Sequence, residues 1–304
     1  MKKTIIYILI AFSIISCKQT EKNDDNKLKV VATTTMIKDL VHHLGGDQIE
    51  VQGLMGAGVD PHLYKASEGD VSKLLEADII FYNGLHLEGK LVDVFEKMES
   101  QNIRTIAVGE SLEKSELIGS DYFASNYDPH IWFSVENWKT ITLFVTSKLI
   151  EADAKNEAYY KSNSNKYISE LNQLQEELLK KIETLPANKR ILVTAHDAFS
   201  YFGEAYGFQV VGLQGLSTAT EAGVQDVQKL ANFIIENEVK AIFVESSVPK
   251  RTIEALQAAV TSKGHDVNVG GTLFSDALGN PGTPEGEYTG MFKYNVNTIV
   301  NALQ

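Results

Sequence analysis

Seven histidines and a single cysteine, Cys17, limit the metal and redox chemistry open to this chain. One cysteine forms neither an intramolecular disulfide nor a thiolate cluster, so any metal site must be built from His, Asp and Glu. Two of the histidines share a tripeptide, Asp60-Pro61-His62 and Asp128-Pro129-His130. In each, the fixed φ of proline sets the direction in which the next imidazole leaves the chain. His196 follows an apolar run in Thr194-Ala195-His196-Asp197, and Asp276 lies in Leu273-Phe274-Ser275-Asp276-Ala277. Three neutral imidazoles suit Zn, Mn, Fe, Ni or Cu, and one carboxylate adds charge through one or both oxygens; Ca and Mg would call for oxygens instead. Asp197, Glu245 and Glu221 fall at strand ends or adjoining loops, where a carboxylate can accept the far N–H of a ligand imidazole and fix its tautomer. Glu221 also stands close enough to a predicted helix at 223–237 to cap its start.

The elements that position these residues follow from Leu28 onward. Short β-rich apolar runs alternate with longer amphipathic stretches, the pattern of βα units and a mostly parallel sheet. Strands are expected at 28–33, 49–55, 78–82 and 103–108, and again at 190–194, 208–213, 239–244 and 267–270. Helices are expected at 35–44, 67–76, 88–99 and 135–150, then 198–206, 223–237, 249–263 and 286–302. The fold class is therefore α/β, with two (β/α)4-type lobes over 28–150 and 187–304. The link at 151–186 reads as one long helix, because 152–185 contains no Gly or Pro and carries an apolar stripe at Ile168, Leu171, Leu174, Leu178, Ile182 and Leu185. Asp153 is expected to cap it and Pro186 to close it, giving a stiff connector of roughly 50 Å whose weakest stretch is Ser-Asn-Ser-Asn at 162–165. In open α/β sheets ligands bind outside the carboxyl ends of the strands, so His62, His130, His196 and Asp276 can all face one crevice between the lobes.

A length of 304 residues suits two domains, and 43% hydrophobic with 22% charged residues is ordinary globular composition. A net charge of -12 repels phosphate backbones and argues against nucleic acid. Lys2 and Lys3 precede an apolar run from Ile5 to Ile15 that is too short to span a bilayer, so 1–16 reads as an export signal. Its end, Ile14-Ile15-Ser16-Cys17, resembles a bacterial lipobox, which makes Cys17 the expected lipidated N-terminus. The polar residues after it, through 27, then form a tether. Residues 84–91 match the phosphate-loop pattern G-x4-G-K, but Leu91 stands where a Ser or Thr should meet magnesium and Glu88 would face phosphate. A strand-to-helix turn explains them better.

The stretches GVDPHLY at 58–64, NYDPHIWF at 126–133, VTAHDAFSYFGEAYGF at 193–208, VVGLQGLSTATEAG at 210–223, FVESSVP at 243–249, LFSDALG at 273–279 and GTPEGEY at 282–288 closely resemble the metal-binding receptors of bacterial manganese and zinc ABC importers. The resemblance covers the whole mature chain. It implies two lobes joined by a rigid helix, with a divalent ion held in the interlobe cleft by His62, His130, His196 and Asp276. It further implies a lipid-anchored protein, periplasmic or at the cell surface, that passes Mn2+ or Zn2+, with Fe2+ also possible, to an ABC permease driven by its ATPase. A monomer is the expected state. Dedicated zinc receptors of the family typically carry a His-rich acidic loop before the second tripeptide, and 109–127 contains no histidine. Many manganese receptors have Glu where this chain has His196; three nitrogens and one carboxylate is the set found in members that hold either metal.

Two other readings compete. A zinc hydrolase could use three protein nitrogens and a water, but Asp276 would fill the position of that water and no HExxH-type motif supplies a general base. Cell-surface adhesion, a label that relatives of the family have carried, would be a secondary role. A chelated iron or cobalamin ligand would call for a wide crevice lined by Arg or aromatic residues, and the His/Asp set fits a bare ion better.

Overall fold

The computed structural model describes residues 27–121 and 123–304. The expected signal, Cys17 and all of the tether but its last residue lie outside the described residues. The N-terminal sheet is fully parallel, in the order β2-β1-β3-β4, with β1 at Leu28–Ala32, β2 at Ile49–Gly53, β3 at Ile79–Tyr82 and β4 at Arg104–Ala107. Val30 and Ile79–Phe81 of the central strands are fully buried, as expected of parallel strands covered on both faces. The cover comes from α1 (Thr35–Gly45), α2 (Glu68–Leu75), α3 (Val92–Ser100) and α4 (Val135–Ala152). Three of these helices begin where the sequence supplies a cap: the Thr34 hydroxyl accepts from the Ile37 amide, Ser67 and Asp70 form a reciprocal capping box, and the Ser134 hydroxyl accepts from the Asn137 amide.

The second half repeats the winding with one difference. β5 (Ile191–His196) pairs with β6 (Gln209–Gln214), and β7 (Ala241–Glu245) with β8 (Asn268–Leu273), each in parallel. β5 and β7 lie side by side but are not joined by a ladder, so this lobe holds two two-stranded sheets. At that seam the backbone amide of His196 donates to Oε1 of Glu245 at 2.9 Å, so a side chain takes the place of a strand carbonyl. Around these strands pack α6 (Ser200–Tyr206), α7 (Val224–Glu236), α8 (Arg251–Ser262) and α9 (Tyr288–Leu303).

The connecting helix is α5, Glu157–Ile182, about 39 Å long at 1.5 Å per residue. It is shorter than the sequence predicts because α4 continues to Ala152 and the chain breaks at Asp153 (φ -142°, ψ 66°). Asp153 does not cap the backbone of α5; its carboxylate accepts from Asn156 Nδ2 at 2.7 Å and the Tyr160 hydroxyl at 2.6 Å. The Ser-Asn-Ser-Asn stretch is regular helix, held by Asn163 Nδ2 donating to the carbonyl of Leu44 at 2.9 Å. Tyr160, Tyr167, Leu171, Leu174, Leu178 and Ile182 are buried along one side. They join a single core that runs from Val30 and Phe81 through Trp138 to Phe243 and Phe292. Burying a side chain of this size contributes about 1.5–3 kcal/mol, so a continuous core through α5 resists wide separation of the two halves. No helix of the described residues is long and apolar enough to cross a membrane.

The phosphate-loop look-alike turns its own carboxylate inward. Glu88, 2% exposed, accepts from the Asn83 amide at 2.8 Å, the Gly84 amide at 3.3 Å and the Thr33 hydroxyl at 2.7 Å. The carboxylate thus occupies the mouth of the loop and takes the amides at its start. The helix expected from residue 88 starts only at Val92.

Candidate metal site

All four candidate ligands leave from the carboxyl ends of strands: His62 after β2, His130 after β4, His196 at the end of β5 and Asp276 after β8. Their ligand atoms lie within 4.8 Å of one another, and all four residues are buried. Nε2 of His130 and Nε2 of His196 are 3.3 Å apart, and Oδ1 of Asp276 is 3.5 Å from the first and 3.4 Å from the second. A tetrahedral ion with N and O ligands at about 2.0–2.1 Å sets its ligand atoms about 3.3–3.4 Å apart. Nε2 of His62 and Oδ1 of Asp276 face this centre with no hydrogen-bond partner. Buried polar atoms without partners are costly, and a cation at the centre would satisfy both. The donor set and the triangle of ligand distances fit a small transition-metal ion.

Three of the four candidate ligands are held from behind by another side chain. Oδ1 of Asp128 accepts from the His130 amide and also lies 2.8 Å from His130 Nδ1. That contact places the proton on Nδ1 and leaves the Nε2 lone pair facing the centre. Nδ1 of His196 lies 2.5 Å from Oε2 of Glu245, which is an ion-pair distance but out of line for a hydrogen bond. Ser247 Oγ donates to Oδ2 of Asp276 at 3.1 Å. Trp132 lies edge-on to the His130 ring with centroids 5.3 Å apart, and its indole N–H donates to the Ser275 carbonyl at 3.0 Å. The Trp132 side chain therefore ties the His130 segment to the backbone beside Asp276.

The electrostatics follow the burial. Loss of solvent, aided by the neighbouring imidazoles, holds His62 down at about 3. Burial works the same way on His196, but the carboxylates of Glu245 and Asp276 overcome it and raise its pKa well above the usual value. Asp276 is held far below the ordinary carboxylate range: burial alone would raise it, and the imidazoles of His196, His130 and His62 outweigh that. The centre is thus poised to exchange a proton for a cation.

Of the three acids expected behind the ligands, Glu245 contacts His196. Asp197 instead accepts from Ser200 Oγ at 3.1 Å, and burial raises its pKa; it bonds to no ligand imidazole among the described residues. Glu221 lies on the surface, paired with Arg251 at 3.1 Å with both side chains over 70% exposed. Asp60, Asp128, Ser247 and Thr218 also hold the site, and the sequence reading passes over them. For the two aspartates the signal was there: an Asp two residues before a His can accept that residue's amide in an Asx turn, and both tripeptides do so at 2.8 Å.

Residues 30–302 match the family ZnuA, zinc-uptake complex component A, periplasmic. The chain belongs to this family. Among ZnuA-family relatives, the manganese-binding lipoprotein MntA of Bacillus subtilis (strain 168) is 44% identical over 98% of this chain and 97% of its own length. The manganese ABC transporter substrate-binding lipoprotein PsaA of Streptococcus pneumoniae is 30% identical over 98% of this chain and 96% of its own. The solved structure of the periplasmic zinc binding protein TroA from Treponema pallidum superposes with a TM-score of 0.89 at 45% identity, covering 91% of this chain and 99% of that one.

Proposed function

We propose that this chain is the extracytoplasmic substrate-binding protein of a metal ABC importer, which captures Mn2+ or Zn2+ between its lobes and delivers it to a permease powered by a separate ATPase. The observation that carries the reading is the buried cluster of His62, His130, His196 and Asp276, three of whose ligand atoms stand at tetrahedral-edge separations around a centre lined by unpartnered donors. These four residues are the ligands. Asp128 and Glu245 orient two of the imidazoles. Residues 28–150 and 187–304 act as the lobes, and 151–186 as their stiff link. Cys17 carries the lipid anchor that holds the protein at a bacterial membrane, periplasmic or at the cell surface, and the protein works as a monomer. The ion is cargo, and the family is one of transport components, not enzymes; a hydrolase would need the fourth position that Asp276 faces.

Likeness does not choose the cargo, since a manganese-binding relative and a zinc-binding one are equally similar. The donor set holds either, and the Irving–Williams order makes zinc bind at least as tightly as manganese in solution. Thermal unfolding of chelator-stripped protein tests the reading, because a ligand bound only by the folded state stabilises by RT ln(1 + [L]/Kd). Mn2+ and Zn2+ raise the Tm; Ca2+ and Mg2+ do not. No shift with any transition metal would overturn it.

A further inference from the structure

His130, His196 and Asp276 are each held by a side chain of their own half of the molecule, Asp128, Glu245 and Ser247. His62 is different. Its Nε2 is buried without a partner, and its backbone amide is held by Oδ1 of Asp60. The other oxygen of Asp60 accepts a hydrogen bond of 2.5 Å from the hydroxyl of Thr218. That bond crosses the cleft, from the loop after β2 to the loop after β6.

The loop that supplies Thr218 has little else to hold it. Thr218 is the one buried residue between 215 and 226. Among the described residues, no backbone–backbone hydrogen bond outside helices and strands involves 216–222. Apart from the exposed Glu221–Arg251 pair, the side-chain ties are local: Gln214 Nε2 donates to the Thr220 carbonyl, and Ser217 Oγ accepts from the Ala219 amide. A surface loop with one buried anchor moves when that anchor lets go. The opposite side of the cleft is fixed several times over, by Trp132 to Ser275, Tyr288 to the Trp132 carbonyl, the Leu278 amide to Thr35 and the Tyr288 amide to Asp39. Opening is therefore easiest at Asp60–Thr218, and opening there frees the ligand with the least support.

We infer that Thr218 is a positioning residue, a latch across the cleft that holds the His62 loop in its binding position and sets how fast the ion leaves. The inference rests on the metal-receptor reading above. Thr218 touches no metal; it acts through the Asp60 carboxylate on the His62 backbone. Loss of a hydrogen bond to a charged acceptor should speed release about tenfold, because this bond has to break before the His62 loop can swing away from the ion.

The test is the release of Mn2+ from the loaded full chain, followed after mixing with excess chelator. Thr218→Val, which keeps the shape and removes the hydroxyl, releases the ion about tenfold faster; Thr218→Ser, which keeps the hydroxyl, releases it at close to the parent rate. Metal-free, Thr218→Ser melts with the parent and Thr218→Val a few degrees lower in one transition, as the loss of a single hydrogen bond requires. In a background of Asp60→Ala the valine adds nothing further, because the bond is already gone. Release from Thr218→Val at the parent rate, or additive effects of the two substitutions, would overturn the latch and leave the receptor reading intact. A parent chain that binds no Mn2+ would sink both.

Discussion

The two Asp-Pro-His tripeptides are identical in sequence and unlike in what surrounds them. In both, the aspartate accepts the histidine amide at 2.8 Å. Asp128 then turns back onto its own histidine at Nδ1, under the hydroxyl of Tyr201, which donates to the Asp128 carbonyl at 3.0 Å, and beside the Pro129 carbonyl, which accepts from Asn83 Nδ2 at 2.9 Å. Asp60 reaches away to Thr218 in the other half of the molecule. One tripeptide is a finished part of the N-terminal lobe, and the other is completed by the partner lobe. A receptor with a stiff connecting helix cannot release its cargo by a wide swing, so unequal support of its ligands is a physical route to release.

The contrast breaks most visibly by removing each histidine in turn. His130→Ala strands the Asp128 carboxylate, which is 1% exposed, and leaves a cavity in packed surroundings. The metal-free protein should lose on the order of 3 kcal/mol, read as a drop in chelator-stripped Tm. His62→Ala removes a group whose Nε2 already lacks a partner, so the metal-free Tm should stay near that of the parent. Both variants lose the metal-induced rise in Tm. Equal losses in the metal-free state would mean that the two tripeptides are equally built in.

A smaller effect separates the aspartates from the ligands they serve. Asp128→Asn keeps the size and removes the charge that stabilises the Nδ1–H of His130. Metal affinity, measured by competition with a chelating dye, should fall 10–100-fold, the usual cost of losing a carboxylate behind a metal-bound imidazole. An unchanged affinity would mean that packing under Trp132 alone sets the ring.

Most of this architecture is legible in the sequence, for definite reasons. Parallel strands buried on both faces, such as Ile79–Tyr82, stand out as runs of β-branched and aromatic residues, and α5 shows its stripe from Ile168 to Ile182. What was not legible depends on contacts between distant residues. Beside the missing β5–β7 ladder, Glu245 takes the His196 amide across 49 positions, a contact that no local pattern announces. The shortened α5 follows from α4 running on to Ala152, which local propensity does not reveal. At the site, residue types and strand ends were enough to nominate four ligands. Which acid stands behind which imidazole was not readable, because Glu245 and Glu221 look alike in sequence and differ only in where the chain carries them. Thr218 gives no signal in sequence: a threonine in a polar loop is unremarkable until its partner lies opposite.

Acid offers a finer probe of the unsupported histidine. An unfolded histidine binds a proton near pH 6.5, whereas burial delays the folded His62 to about pH 3. Between those values the unfolded state holds more protons, so stability is present above 6.5 and is lost as pH falls toward 3. His196, shifted upward, acts in the opposite sense in parent and variant alike and cancels from the comparison. The metal-free parent should therefore lose Tm more steeply than His62→Ala between pH 6.5 and 4. Parallel curves would mean that His62 is open to water, with the latch side of the cleft unclosed in the metal-free state.

The smallest effect belongs to Glu221, in the loop that carries Thr218. Its pair with Arg251 is exposed on both sides, and such pairs contribute about 0–1 kcal/mol. Glu221→Gln should leave Mn2+ affinity within about twofold, because screening by solvent keeps a charge at this distance from the buried centre. Measured in low salt and again in high salt, the variant and the parent should stay together. A loss of affinity that appears only in the variant and survives high salt could not come from long-range attraction. It would mean that the 215–223 loop closes further over the ion than its position here, bringing Glu221 toward the imidazoles, and the latch would then act through two residues of that loop.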